Sequence, residues 1–112
     1  GKIPRAKEDK KLVYLLFTGS DWCPPCISLE QKVLQSQRWK AATSNMLTHI
    51  CDFPITKQLS DEVKRENKRL AQSYNVSGYP TAIILNGEGK ELRRSVGFTG
   101  TATGYINWVL GK

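Results

Sequence analysis

An α/β chain, with a mixed central sheet covered by helices on both faces, is predicted by three observations. These are the apolar run KLVYLLF at 11–17, a proline-rich helix start at 22–26, and an Asn-Gly turn between two strand-like runs in 81–98. With 112 residues, 39% of them hydrophobic, the chain has the length of one domain and is too apolar to be disordered. No repeat, linker or composition shift divides it, so 1–112 reads as a single domain.

Residues 4–10 (PRAKEDK) read as a polar turn or short helix. The run 11–17 is apolar nearly throughout, as a central strand covered on both faces must be. Thr18-Gly19-Ser20-Asp21 is turn chemistry, and Trp22-Cys23-Pro24-Pro25-Cys26 then opens a helix with Ile27, Leu29, Val33 and Leu34 as its apolar positions. Proline is tolerated only in a first turn, where backbone N–H groups have no intrahelical partner, so Pro24 and Pro25 place the helix origin close to Cys23.

The stretch 35–45 is polar and gives no periodic signal, with Trp39 as its one large anchor. A second strand is predicted over 46–53 (MLTHICDF) and is ended by Pro54. Ser60 reads as the N-cap of a second long helix reaching about Ser73, with Leu59, Val63, Leu70 and Tyr74 as its apolar stripe and Lys64, Arg65, Lys68 and Arg69 opposite. Val76-Ser77-Gly78-Tyr79-Pro80 leads into a strand at 81–85, and Asn86-Gly87-Glu88-Gly89 turns the chain into another at 91–98. A last helix over 101–110 puts Tyr105, Ile106, Val109 and Leu110 on one face. The order β, α, β, α, β, β, α implies a parallel crossover followed by an antiparallel hairpin.

The longest apolar run falls far short of the ~20 residues a membrane-spanning helix needs. The start Gly1-Lys2-Ile3-Pro4-Arg5 carries neither a secretory apolar core nor an initiator Met, so residue 1 reads as a processed or cloning-derived end. Net charge is +7, gathered at 1–11 and 90–94 and otherwise scattered. No nucleic-acid motif accompanies it, and the basic surface is read as a solvated one rather than a nucleic-acid site.

Of the three cysteines, at least one must stay out of any intramolecular disulfide. Cys23 and Cys26 can close a small ring at a helix start. There the unpaired N–H groups and the positive end of the helix dipole favour the thiolate of Cys23. A thiolate at Cys23 can attack a disulfide, and Cys26, one turn inside the helix and less exposed, can attack the mixed disulfide and release the product. Two other uses of the pair stay open. A purely structural disulfide would stabilise little, since the loop it closes is short. A zinc site would need His49 and Cys51, which share a strand face. Taken alone, Cys51 reads as a small buried apolar residue and His49 carries no assigned role.

Phe17-Thr18-Gly19-Ser20-Asp21-Trp22-Cys23-Pro24-Pro25-Cys26, followed by Val76-Ser77-Gly78-Tyr79-Pro80-Thr81, resembles the thioredoxin superfamily over nearly the whole chain. The resemblance implies a thioredoxin fold, catalytic Cys23 and Cys26, and a cis bond before Pro80 facing them. It also implies a substrate-binding wall of Trp22, Tyr79, Pro80 and Thr81 that takes an extended client polypeptide. No organic cofactor and no metal are implied. The lead-in to Trp22 and the Gly97-Phe98-Thr99-Gly100 ending are similar to exported bacterial thiol:disulfide interchange proteins, which implies a periplasmic or otherwise exported setting, with the cytoplasm as the alternative. One departure stands out. Where that superfamily buries an acid in the strand before the motif, this chain has Leu15-Leu16-Phe17, leaving water or Glu30, one turn further along the helix, as candidate proton acceptors for Cys26.

The expected function is thiol:disulfide exchange with cysteine-containing client proteins and a redox partner protein, by a monomer. Pro24 and Pro25 withhold two N–H groups from the Cys23 thiolate, which points to reductase or isomerase rather than strong oxidant. The alternatives are a client-binding module of the same fold without turnover, and the Cys/His metal site.

Overall fold

A computed structural model describes residues 11–112, so the turn or short helix expected over 4–10 lies outside the described residues. Four strands form one sheet in the order β2-β1-β3-β4. Strand β1 (Val13–Thr18) is buried at every position, as its unbroken apolar sequence requires. It pairs parallel with β2 (Leu47–Asp52) and antiparallel with β3 (Thr81–Leu85), and β3 pairs antiparallel with β4 (Glu91–Val96).

Successive side chains of β1 point to opposite faces and so divide the core in two. Tyr14 and Leu16 pack with Leu29, Val33, Trp39, Ile106 and Val109. Val13, Leu15 and Phe17 pack with Cys51, Leu70, Ile83 and Leu85. Each large side chain removed from water in this way contributes ~1.5–3 kcal/mol before chain entropy is counted.

The first face is covered by α1 (Pro24–Leu29), α2 (Gln37–Ala42) and α4 (Ala102–Leu110), and the second by α3 (Asp61–Ser73). Helices therefore lie on both faces of a mixed sheet. The crossover after β1 is more divided than its sequence suggests. A π-helical turn, Glu30–Leu34, follows α1 directly, and the polar stretch beyond it holds α2, capped by the Ser36 hydroxyl accepting from the N–H of Trp39 at 3.1 Å. Trp39 anchors that short helix by stacking edge-on against Tyr14, with centroids 4.8 Å apart.

Ser60 caps α3 as expected, its side chain accepting from the N–H of Val63. The predicted stripe on α3 needs one correction. Val63 is 45% exposed, while Asn67 is buried and donates to the carbonyl of Asp52 at 3.0 Å. The strand end that precedes the site is thus held by a polar group on the inner face of α3.

The β3–β4 hairpin forms around Asn86, whose side chain accepts from the N–H groups of Glu88 and Lys90, both at 2.9 Å. Gly89, with φ of 84°, carries the left-handed turn position. At the far end Arg93 donates from Nε to the Trp108 carbonyl at 2.9 Å and from Nη2 to the Val109 carbonyl at 2.7 Å. An arginine on β4 thereby satisfies terminal carbonyls of α4.

Candidate active site

At the end of β1 the chain turns on Gly19, whose carbonyl accepts the N–H of Trp22 at 3.4 Å and of Cys23 at 3.1 Å. Cys23 takes the N-cap position of α1 with extended backbone angles, and Pro24 and Pro25 follow in the first turn. The helix then closes normally, the N–H of Ile27 donating to the Cys23 carbonyl at 2.9 Å. This geometry brings Cys23 and Cys26 together in a disulfide, with Cα atoms 5.2 Å apart. Both are buried, Cys23 at 4% and Cys26 at 2% exposure. The N–H of Gly19 donates to Cys26 Sγ at 3.4 Å.

The opposing wall comes from the entrance to β3. The Tyr79–Pro80 bond is cis, and the Tyr79 carbonyl oxygen sits 3.7 Å from Cys23 Sγ. The Pro80 carbonyl is engaged by the N–H of Gly97 at 2.8 Å, and the Thr81 hydroxyl donates to the Gly78 carbonyl at 2.6 Å. Thr81 has no exposed surface. Of the residues expected to line this wall, Tyr79 is half-buried, Pro80 is buried, and Thr81 holds the loop from beneath.

Trp22 is 41% exposed, and its Nε1 donates to the Phe53 carbonyl at 2.7 Å. Its ring stands edge-on to Tyr79 at 5.7 Å, and Phe53 packs tilted against Tyr79 at 5.6 Å. An alanine methyl at Gly19 would clash with the Trp22 indole, so glycine there is what admits the ring.

Two neighbours of Trp22 do as much as the indole itself, and the sequence marked them only as turn residues. The N–H and hydroxyl of Ser20 both donate to the Asp52 carboxylate, which also faces Lys57 Nζ at 3.4 Å. The Asp21 carboxylate accepts from the N–H of Ile55 at 2.9 Å, and from the N–H and hydroxyl of Thr56 at 2.8 and 2.6 Å. The Thr56 hydroxyl, followed by the Ile55 N–H, holds the Asp21 carboxyl down at about 2. Three consecutive side chains upstream of Cys23 are therefore fastened to residues 52–56.

Glu30 is exposed and borders, with Tyr14, Trp39 and Thr43, a cleft of about 350 Å³ on the first face of the sheet. Cys51 is fully buried beside Phe17 and Leu70, where desolvation pushes its thiol up to about 12. It is the small apolar core residue expected. Among the described residues no three His, Cys, Asp or Glu side chains are gathered as a metal site, and no helix is long and apolar enough to cross a membrane.

A family model described as a thioredoxin-like domain matches residues 2–109. The chain is 33% identical over 108 residues to the disulfide bond reductase DsbH of Chlamydia pneumoniae, a match covering 96% of this chain and 65% of that protein. It is 28% identical over 106 residues to the thiol:disulfide interchange protein DsbD of Actinobacillus pleuropneumoniae, covering 93% of this chain and 16% of the relative. The chain thus spans just under two thirds of the first relative and a small part of the second. Among solved structures, a DsbH oxidoreductase superposes with a TM-score of 0.88 at 32% identity, covering 97% of this chain and 76% of that one. The reduced C-terminal domain of DsbD from Neisseria meningitidis, at 20% identity, shares the fold with a TM-score of 0.69 over 97% of this chain and 89% of that one.

Proposed function

The chain belongs to the thioredoxin-like family, and on that premise we propose that it is a thiol:disulfide oxidoreductase. Its Cys23 and Cys26 exchange electrons with cysteines of client proteins. The observation that carries this reading is the Cys23–Cys26 disulfide in the first turn of α1, with Cys23 Sγ beside the Tyr79 carbonyl.

In the dithiol form, Cys23 as thiolate attacks one sulfur of a client disulfide. A Cys23–client bond forms, and the client's other sulfur leaves and takes up a proton. Cys26, deprotonated, then attacks Cys23 Sγ. The Cys23–client bond breaks, the second client thiol is released, and two electrons have passed from the protein to the client. A partner dithiol restores the starting state. Cys26 is poised for the second step by the Gly19 N–H, which favours negative charge on its sulfur. The proton acceptor for Cys26 is assigned to water, with Glu30 as the alternative. Trp22 and Tyr79 supply the apolar contact for the client, and Pro80 and Thr81 hold the strand entrance that presents the Tyr79 backbone.

Reductase or isomerase chemistry is favoured over strong oxidation. Strong oxidants stabilise the reduced form, and Pro24 and Pro25 remove two N–H donors from the turn that would do so. The name of the DsbH relative, a disulfide bond reductase, supports the same direction. The protein is proposed to act as a monomer in an exported, periplasmic setting, consistent with its similarity to thiol:disulfide interchange proteins.

A glutathione redox titration followed by Trp22 fluorescence tests the direction. The expected midpoint lies at about −180 mV or below, and a midpoint near about −120 mV would make the protein a strong oxidant instead.

A further inference from the structure

Beyond the disulfide, the loop at 52–57 is built as though its position matters. It is exposed at Ile55, Thr56 and Lys57, yet eight hydrogen bonds join Ser20, Asp21, Trp22 and Asn67 to Asp52, Phe53, Ile55 and Thr56. Binding residues are disproportionately carried on loops that a rigid scaffold holds in position. Ile55 is 72% exposed at its tip. Behind the tip lies a cleft of about 420 Å³, bordered by Phe53, Ile55, Leu59 and three lysines, Lys57, Lys64 and Lys68.

The charges there do not cancel. Among the described residues Asp52 is the one acid bordering the cleft, and it is taken up by Ser20 and Lys57. Lys64 meets Asp61 only at 3.9 Å, with both side chains largely exposed. A positive, partly apolar cleft therefore meets the Trp22–Tyr79 wall through one shared neighbour. Phe53 belongs to both, since it lines the cleft and its ring touches Tyr79.

We propose that the clamped 52–57 loop and its lysine cleft form a second client-binding surface, for a polypeptide segment carrying acidic residues and one apolar residue close to its reactive cysteine. This rests on the oxidoreductase reading and names the kind of client. An extended chain leaving the Trp22–Tyr79 wall along Phe53, whose ring packs on Tyr79, runs into the cleft that Phe53 also lines. The apolar residue meets Ile55 and Phe53, and the carboxylates meet Lys57, Lys64 and Lys68. Complementary charge of this kind selects partners and speeds encounter more than it deepens affinity.

The test uses three quenched-fluorescence peptides with one disulfide each, identical except for Glu-Glu, Gln-Gln or Lys-Lys near the cysteine. They are reduced in single turnover by the full chain. Exposed ion pairs are individually weak, so three lysines together should favour Glu-Glu over Gln-Gln by about fivefold, with Lys-Lys slowest. That ratio should fall to near one in the triple variant K57Q/K64Q/K68Q and in 1 M salt. Equal rates for all three peptides would overturn the surface and leave the redox reading intact. If no peptide were reduced, the redox reading would fail. Anisotropy of a fluorescein-labelled Glu-Glu peptide with serine for cysteine would then decide the surface alone: tighter binding than its Gln-Gln counterpart, lost in the triple variant, supports it, and equal binding overturns it.

Discussion

Cys23 Sγ lies 3.7 Å from the carbonyl oxygen of Tyr79, while the sulfur of Cys26 accepts the N–H of Gly19 behind it. The two cysteines of one disulfide thus face different surroundings. Cys23 adjoins the backbone that would receive a client, and Cys26 is held from within. Replacing Cys26 by serine removes the group proposed to resolve the client adduct. Cys26→Ser is expected to accumulate a mixed disulfide through Cys23, seen by non-reducing mass spectrometry, while Cys23→Ser accumulates far less. Equal trapping by both variants would contradict the assigned order of attack.

Gly19→Ala places a methyl group against the Trp22 indole. Overpacking of this kind costs ~1–3 kcal/mol. The variant should unfold at lower urea concentration by that amount and show altered Trp22 emission in the folded state. An unchanged midpoint with unchanged emission would mean the indole does not sit over Gly19.

The Asp21 carboxyl is held at about 2 by Thr56 and Ile55, below its unfolded value of about 3.9. A depressed carboxyl contributes stability that is fully present above the unfolded value and is lost as pH falls through the folded one. The difference in urea midpoint between the wild type and Asp21→Asn should therefore be constant above about pH 5 and shrink between about pH 4 and pH 2. A difference that stays level across that window would show that the carboxylate charge is not what Ile55 and Thr56 recognise.

Buried without solvent access and with its thiol pushed up to about 12, Cys51 should not react with thiol reagents in the folded, reduced protein at pH 8. Native labelling is expected at Cys23 first and then Cys26, with Cys51 labelled only after denaturation. Labelling of Cys51 at a rate close to that of Cys23 would place it outside the core.

Arg93→Ala removes two hydrogen bonds to the last carbonyls of α4. The charged donors make this worth ~1.5–3 kcal/mol in all, read as a lowered urea midpoint with reduction activity per folded molecule retained. A neutral result would mean water replaces the guanidinium at the Trp108 and Val109 carbonyls.

What could be read from the chain in advance was whatever left a local or periodic mark. The continuous run ending at Phe17 announced a strand buried on both faces, and Pro24 and Pro25 located the start of α1 because proline has so few places in a helix. Asn86 and Gly87 announced the hairpin for the same kind of reason, although the left-handed position falls two residues later, at Gly89. Helix α2 was hidden because only Trp39 of its short polar sequence is buried. Apolarity pointed Val63 inward, but α3 turns Asn67 to the sheet to satisfy the Asp52 carbonyl, and Val63 is left outside. The fastening of Ser20, Asp21 and Trp22 to 52–56 was invisible for another reason. It joins side chains to backbone groups more than thirty positions away, and no periodicity records such a contact.

The proposed passage of electrons from the Cys23–Cys26 pair to client disulfides underlies every role assigned to the site. The most direct measurement is the rate of insulin disulfide reduction by the reduced wild-type protein beside its Cys23→Ser variant, both verified as folded by circular dichroism. Steady reduction is expected from the wild type, and from Cys23→Ser a rate no greater than that of the chemical reductant alone. Equal rates for the two proteins would contradict the proposed electron transfer.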